Sequence, residues 1–166
     1  MNWFRVTVFL IFFSQTDTIY SQVNNIIPTP KEQIIKNGFM LIENNPEIIT
    51  YDKFNSTEIL LKSAINELNL DNDKKQKNRI KFSYNKKLDE EEYILRINSN
   101  LITISASTEK GAIFGFQSLN QLMNLNLKNG VVKLKTQVIK DSPRFKYRGM
   151  HLDVGRHMYP VDFIKK

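Results

Sequence analysis

The segment 142–166 constrains the fold of this chain more than any other part of its sequence. Pro143 interrupts the strand-like run before it, and Phe145–Val154 then form a new apolar segment that carries the charged residues Arg148 and Asp153. Mostly apolar segments without strict alternation are typical of strands that are buried on both faces. The sequence therefore predicts a buried strand here.

A helix is predicted to begin shortly after this strand. Pro160 suits the first position of a helix, and Asp162 is favourable in its first turn. The apolar residues on either side of Asp162 begin an apolar stripe. A strand that leads into a helix is the first unit of a β/α architecture, which needs further elements to pack against. Because the sequence stops in the first turn of this helix, we expect the chain to be truncated.

Residues 22–140 are expected to form a single α+β domain, which is long enough to bury a core without disulfides. The chain contains no cysteine, so neither a disulfide nor a thiolate metal site is available. Helical periodicity predicts two helices near Thr57–Leu68 and Thr108–Leu125. Short alternating segments predict strands around them, in a mainly antiparallel sheet with both helices on one face.

Turn residues predict how some of these strands connect. Asn37-Gly38 lies between two apolar segments and predicts a hairpin. Asn98-Ser99-Asn100 predicts a tight turn between two later strands. We expect a meander in which sequence neighbours pair, made of three strands at Arg79–Tyr84, Tyr93–Asn98 and Leu101–Ala106.

Two local features of the helices allow alternative interpretations. Asn55-Ser56-Thr57 has the form of a glycosylation sequon, but it lies where the first helix needs a cap, and we favour the cap. Gly111 and Gly115 lie four residues apart on the second helix. They indicate either close contact with a strand or simple tolerance of glycine.

The N-terminal residues 1–21 are predicted to be a secretory signal peptide. A short basic region ends at Arg5, an apolar core covers Val6–Phe13, and polar residues follow up to Ser21, where we expect cleavage. The apolar core is much shorter than the roughly 20 residues that a membrane-spanning helix needs. The mature protein is therefore expected outside the cytoplasm, with no membrane span.

The net charge of +7 raises the question of a nucleic-acid partner. The lysines are scattered rather than gathered in a stripe, and Lys86 and Lys87 lie beside the acidic run Asp89–Glu92. Solvated loops explain this pattern better than a nucleic-acid surface does. We therefore expect no nucleic-acid partner.

The tail sequence PRFKYRGMHLDVGRHMYPVDFIKK resembles the first strand and helix of the catalytic barrel in exo-β-N-acetylhexosaminidases, family 20 of the glycoside hydrolases. Asn25–Lys31 resembles the opening of that family's N-terminal domain, and Glu109–Leu119 resembles a late helix in it. The resemblance implies that residues 22–140 are this domain. Residues 141–166 would then begin a (β/α)8 barrel, which takes about 250 residues when complete.

Arg148 is the substrate-binding candidate that the resemblance implies. In the family, the arginine of an Arg-Gly pair holds the hydroxyl groups of the terminal sugar, and Arg148-Gly149 matches that pair. A guanidinium keeps its charge when buried and presents a fork of donors that suits vicinal hydroxyl groups. The alternative is an arginine paired with a carboxylate for stability alone.

Asp153, Arg156 and His157 also match the family's pattern at the end of this strand, where the active sites of such barrels lie. Asp153 and Arg156 either pair with each other to shape the site or contact the ligand directly. His151 and His157 are weak candidates for metal ligands, because no carboxylate or thiolate cluster accompanies them. We expect no metal and no cofactor.

The resemblance implies a retaining, substrate-assisted hydrolysis of glycans that end in N-acetylglucosamine or N-acetylgalactosamine. An adjacent Asp-Glu pair on a later barrel strand supplies the acid and its partner. Asp89-Glu90 is the only such pair here, and its predicted position in an exposed turn excludes it. The chain therefore contains no catalytic residue, the pair is expected beyond Lys166, and residues 1–166 alone are expected to be inactive.

One rival interpretation is a non-catalytic carbohydrate-binding module. Such a module would need surface aromatic side chains that form a stacking platform. The aromatic residues Tyr51, Phe54 and Tyr84 are dispersed in the sequence, which disfavours it.

Overall fold

A computed structural model describes residues 26–70, 78–156 and 158–165. The proposed signal peptide and His157 lie outside the described residues. The strands are β1 (Glu32–Ile42), β2 (Glu47–Ile49), β3 (Arg79–Tyr84), β4 (Tyr93–Ile97), β5 (Leu101–Ala106), β6 (Leu127–Lys128) and β7 (Val131–Asp141). The α-helices are α1 (Asn55–Glu67), α2 (Glu109–Leu125) and the single turn α3 (Val161–Ile164), and a 3-10 helix (Asp52–Phe54) precedes α1.

The strands form one mixed sheet in the order β1-β7-β4-β5-β3-β2, with β6 paired to β7. The β2–β3 and β3–β5 pairs are parallel, and the other four pairs are antiparallel. The α+β class is confirmed, but the predicted meander is wrong because β5 lies between β3 and β4. Alternating side chains reveal which face of a strand is buried but not which strand lies beside it.

The hairpin predicted at Asn37-Gly38 is also wrong. Both halves of β1 pair with the equally long β7, and the register shifts between Ile35 and Phe39. Gly38 adopts a φ of +111°, and the Thr136 hydroxyl donates to the Asn37 carbonyl at 2.9 Å. Because both halves of β1 pair with the same long strand, Asn37-Gly38 forms a bulge and the chain does not reverse there.

Both helices cover one face of the sheet, as predicted. The face that packs against α2 includes Ile104, whose partner across the β3–β5 pair is Phe82. The Phe82 ring lies 5.9 Å from that of Phe54, directly before α1. On the opposite face, Lys81, Thr103 and Arg96 lie in one cross-strand row. The core therefore lies between the sheet and the two helices.

Gly111 and Gly115 allow α2 to approach the sheet closely, which resolves their two interpretations. An added Cβ at Gly115 would lie 2.7 Å from Cγ2 of Ile104, and one at Gly111 would lie 2.6 Å from the Glu92 carbonyl oxygen. Neither distance is compatible with a side chain unless its neighbours move. The glycines are thus required by packing.

The N-terminus of α1 is capped from another helix. No side chain at its own N-cap position forms the capping hydrogen bond, contrary to the prediction for Asn55-Ser56-Thr57. Instead, the backbone N–H and the hydroxyl of Thr57 donate to the Glu109 carboxylate at 2.7 and 2.5 Å. Helix α2 is capped by Thr108, whose hydroxyl accepts from the Gly111 N–H at 3.3 Å.

The strand predicted at Phe145–Val154 does not form. Residues 142–156 and 158–160 contain no strand, and Phe145 and Tyr147 are 72% and 92% exposed. A strand requires a neighbour for its backbone hydrogen bonds, and no described strand pairs with this segment. A helix forms at the predicted place but begins one residue later, because Pro160 is the N-cap of α3, and Asp162 lies in its first turn as predicted.

Candidate functional site

The candidate site is built around Arg148, in the segment that follows β7. Nη2 of Arg148 donates a hydrogen bond to Oε1 of Glu91 at 2.9 Å, and Nη1 donates to the Phe145 carbonyl. The guanidinium carbon lies 5.7 Å from the centre of the Phe114 ring on α2. The side chain remains 40% exposed, so Arg148 is held from several sides without being enclosed.

This arrangement leaves much of the guanidinium free to bind a ligand. Arginine carries five N–H donors, and among the described residues hydrogen bonds to Phe145 and Glu91 occupy two of them, which leaves three. The hydrogen bond from Arg148 also holds the pKa of the Glu91 carboxyl below its usual value. Glu91 therefore stays ionised under ordinary conditions and keeps its attraction for the guanidinium.

Asp153 and Arg156 pair with each other. Arg156 Nε donates to Asp153 Oδ2 at 2.9 Å, and the Gly155 N–H donates to Asp153 Oδ1 at 2.9 Å. Arg156 is 91% exposed, and within the described residues no hydrogen bond or ion pair joins this pair to Arg148. Their proposed place at the sugar site stays a prediction.

A groove of about 540 Å³ lies between α2, the segment that precedes β1 and the segment that follows β7. Gln121 of α2 holds one wall by two hydrogen bonds of 3.0 Å to the backbone N–H and carbonyl of Ile27. At the floor, the hydroxyl groups of Tyr93 and Ser118 share a hydrogen bond of 2.6 Å, and burial raises the pKa of Tyr93 to about 12. Arg148 borders this groove.

The groove is suited to binding rather than to acid–base chemistry. Among the described residues that line it, Asp141 is the one carboxylate, and its Oδ1 accepts a hydrogen bond from the Lys31 N–H at 3.1 Å. Glycoside hydrolysis generally needs two carboxyl groups. Over the described ranges, no group of three or more His, Cys, Asp or Glu side chains is arranged to hold a metal ion.

Sequence reasoning did not identify Glu91, Phe114 or Gln121 as neighbours of the site. The sequence predicted an exposed turn at the acidic run, and only the tertiary structure brings Glu91 and Phe114 beside Arg148 and Gln121 beside Ile27.

None of the described helices is both long and apolar enough to span a bilayer.

Comparison with known proteins identifies the kind of domain that carries this fold and groove. The sequence profile of glycosyl hydrolase family 20, domain 2, matches residues 23–142. The chain therefore belongs to glycoside hydrolase family 20, which confirms the resemblance drawn from its motifs.

The individual relatives agree with this assignment. A β-hexosaminidase of Vibrio furnissii is 40% identical over 82 residues, which cover 49% of this chain and 13% of that protein. β-Hexosaminidase subunit B1 of Dictyostelium discoideum is 32% identical over 152 residues, covering 86% of this chain and 26% of the relative. The chain thus spans about a quarter or less of these relatives.

A solved structure is also similar. The family 20 exo-β-N-acetylglucosaminidase of Vibrio harveyi, in complex with N-acetylglucosamine, superposes with a TM-score of 0.70 and 26% identity. The match covers 82% of this chain and 22% of the Vibrio harveyi chain.

Proposed function

We propose that this chain is the N-terminal portion of a β-N-acetylhexosaminidase that removes terminal N-acetyl-hexosamine residues from the non-reducing ends of glycans. The single observation that carries the proposal is the Arg148-Gly149 pair in a chain of family 20, with Arg148 at the edge of a groove. The guanidinium donors that bond to no other described residue suit the vicinal hydroxyl groups of a sugar. Substrates of this kind end in N-acetylglucosamine or N-acetylgalactosamine.

The proposed mechanism is retaining and substrate-assisted. The carbonyl oxygen of the sugar's 2-acetamido group attacks the anomeric carbon, while a carboxylic acid protonates the departing oxygen. Water then opens the cyclic intermediate. The acid and its neighbouring carboxylate are proposed to follow Lys166, and Arg148 would hold the sugar while they act.

Export is also part of this proposal. The basic start and apolar core of residues 1–21 support a signal peptide, and removal of this segment would leave a mature chain that begins near Gln22. N-terminal sequencing of secreted material would test it. Recovery of an intact Met1 would contradict it.

Replacement of Arg148 by Ala in the longer protein tests the central claim. Loss of even one charge-assisted hydrogen bond to the sugar, worth about 1.5–3 kcal/mol, predicts a roughly tenfold to hundredfold fall in kcat/KM on an aryl N-acetyl-β-glucosaminide. If Arg148 only stabilises the fold, the Arg148→Ala change will lower Tm and leave kcat/KM near its original value. Turnover by residues 1–166 alone would contradict the proposal that the catalytic pair lies further along.

A further inference from the structure

Three consecutive glutamates in the loop between β3 and β4, here called the acidic loop, each pair with a cation on a different element. Lys110 belongs to α2, Lys140 to β7 and Arg148 to the segment after β7. The N···O distances are 2.7 Å for Glu90–Lys110, 2.9 Å for Glu91–Arg148 and 3.1 Å for Glu92–Lys140. The sequence alone indicated a solvated run of charge, whereas the fold makes this loop the junction of three elements.

The backbone of the acidic loop is itself held in place. The Asp89 N–H donates to Glu92 Oε2 at 3.0 Å, and the Ser107 hydroxyl donates to the Asp89 carbonyl at 2.9 Å. The Thr108 hydroxyl hydrogen-bonds to the Glu90 carbonyl. Glu91 therefore projects from a loop that is tied to the start of α2, and its carboxylate has a defined position relative to the sheet.

The contacts of Arg148 divide its guanidinium into a held part and a free part. Glu91 and the Phe145 carbonyl take one donor each, and the Phe114 ring lies against one side. An arginine side chain without such contacts samples many rotamers, and a binding partner must then order it at an entropic cost. A held guanidinium presents its remaining donors in one arrangement.

We propose that Glu91 is a positioning residue for Arg148, which orients the free guanidinium donors toward the hydroxyl groups of a bound sugar. The inference rests on the proposed function, since it assigns a role to the same arginine. It adds a contribution from the N-terminal domain to substrate binding. Glu91 acts through Arg148 and has no role in the bond-breaking step.

The test uses the longer protein and the change Glu91→Gln, which keeps the side-chain size but removes the charge. For an exposed pair of this kind we expect KM on the aryl N-acetyl-β-glucosaminide to rise about two- to fivefold, with kcat nearly unchanged. Glu91→Asp keeps the charge, so it should raise KM less than Glu91→Gln does. Glu90→Gln is the matched control, because it removes a neighbouring pair of the same loop without touching Arg148, and both kinetic constants should stay unchanged.

Each result decides a separate point. If Arg148→Ala lowers kcat/KM but Glu91→Gln leaves KM unchanged, the positioning role is wrong and the proposed function stands. If Glu90→Gln and Glu91→Gln raise KM equally, the loop acts only as a whole and the specific role of Glu91 is wrong. If Arg148→Ala leaves the kinetics unchanged, the sugar-binding role of Arg148 fails, and the role of Glu91 fails with it. In an Arg148→Lys background, the effect of Glu91→Gln should shrink.

Discussion

The sheet strand β4 and the segment after β7 contain similar residues in opposite environments. Tyr93 begins β4 and is 2% exposed, whereas Tyr147 is 92% exposed. Strand β4 has hydrogen-bonded neighbours on both sides, β5 and β7, while Phe145–Val154 has none among the described strands. An apolar, extended sequence therefore becomes a buried strand only where other strands satisfy its backbone groups.

The polar contacts of the two regions differ in the same way. In the domain, single carboxylates link separate elements, as Glu109 does when it caps α1 from the start of α2. In the segment after β7, Arg148 makes one such long-range pair with Glu91, but farther along Asp153 pairs with Arg156 only three residues away. Long-range contacts restrict the fold far more than local ones do, because they close large loops of chain. The following variants test this contrast by thermal unfolding of the 166-residue chain.

The largest expected difference in stability is between the alanine variants of two phenylalanines. Phe82→Ala should destabilise the domain by about 3–5 kcal/mol, because it removes a fully buried ring and leaves a cavity beside Phe54. Phe145→Ala, at a position that is 72% exposed, should change stability by no more than about 0.5 kcal/mol. Equal losses in the two variants would mean that the segment after β7 is packed as firmly as the core.

The alanine variants of two glycines should show the next largest difference in stability. Gly115→Ala should cost about 1–3 kcal/mol, because the new Cβ meets Ile104 and Tyr93 and must push α2 from the sheet. At Gly149 an added Cβ meets only Tyr147 atoms at 3.8 Å or more, so Gly149→Ala should leave Tm unchanged. A neutral Gly115→Ala would show that α2 does not approach the sheet as closely as described.

The smallest effect concerns the carboxylates. Glu109→Ala should destabilise the domain by about 0.5–2 kcal/mol, since the N–H and hydroxyl of the buried Thr57 lose their acceptor. Asp153→Ala removes only exposed, local contacts, to Arg156 and to the Gly155 N–H, and no measurable shift in Tm is expected. If both changes had the same effect, the cap from α2 would have no more influence than a surface ion pair.

Part of the candidate site was predictable from the sequence. Arg148 is identifiable because its neighbours match a specific motif, and motifs of this kind are local patterns of residues. Glu91 is 57 residues from Arg148 in the chain, and Gln121 is 94 residues from Ile27, so no local pattern predicts these contacts. Such partners follow from the strand order, which local signals do not specify.

The sequence by itself determined the family, the α+β class, the two helices and most strand positions of this protein. It did so because hydrophobic periodicity and motifs depend on residues that lie close together in the chain. Only the tertiary structure decided that β5 separates β3 from β4 and that β1 continues through Asn37-Gly38. It also decided that Glu109 caps α1, because a contact across the core depends on how every intervening element packs.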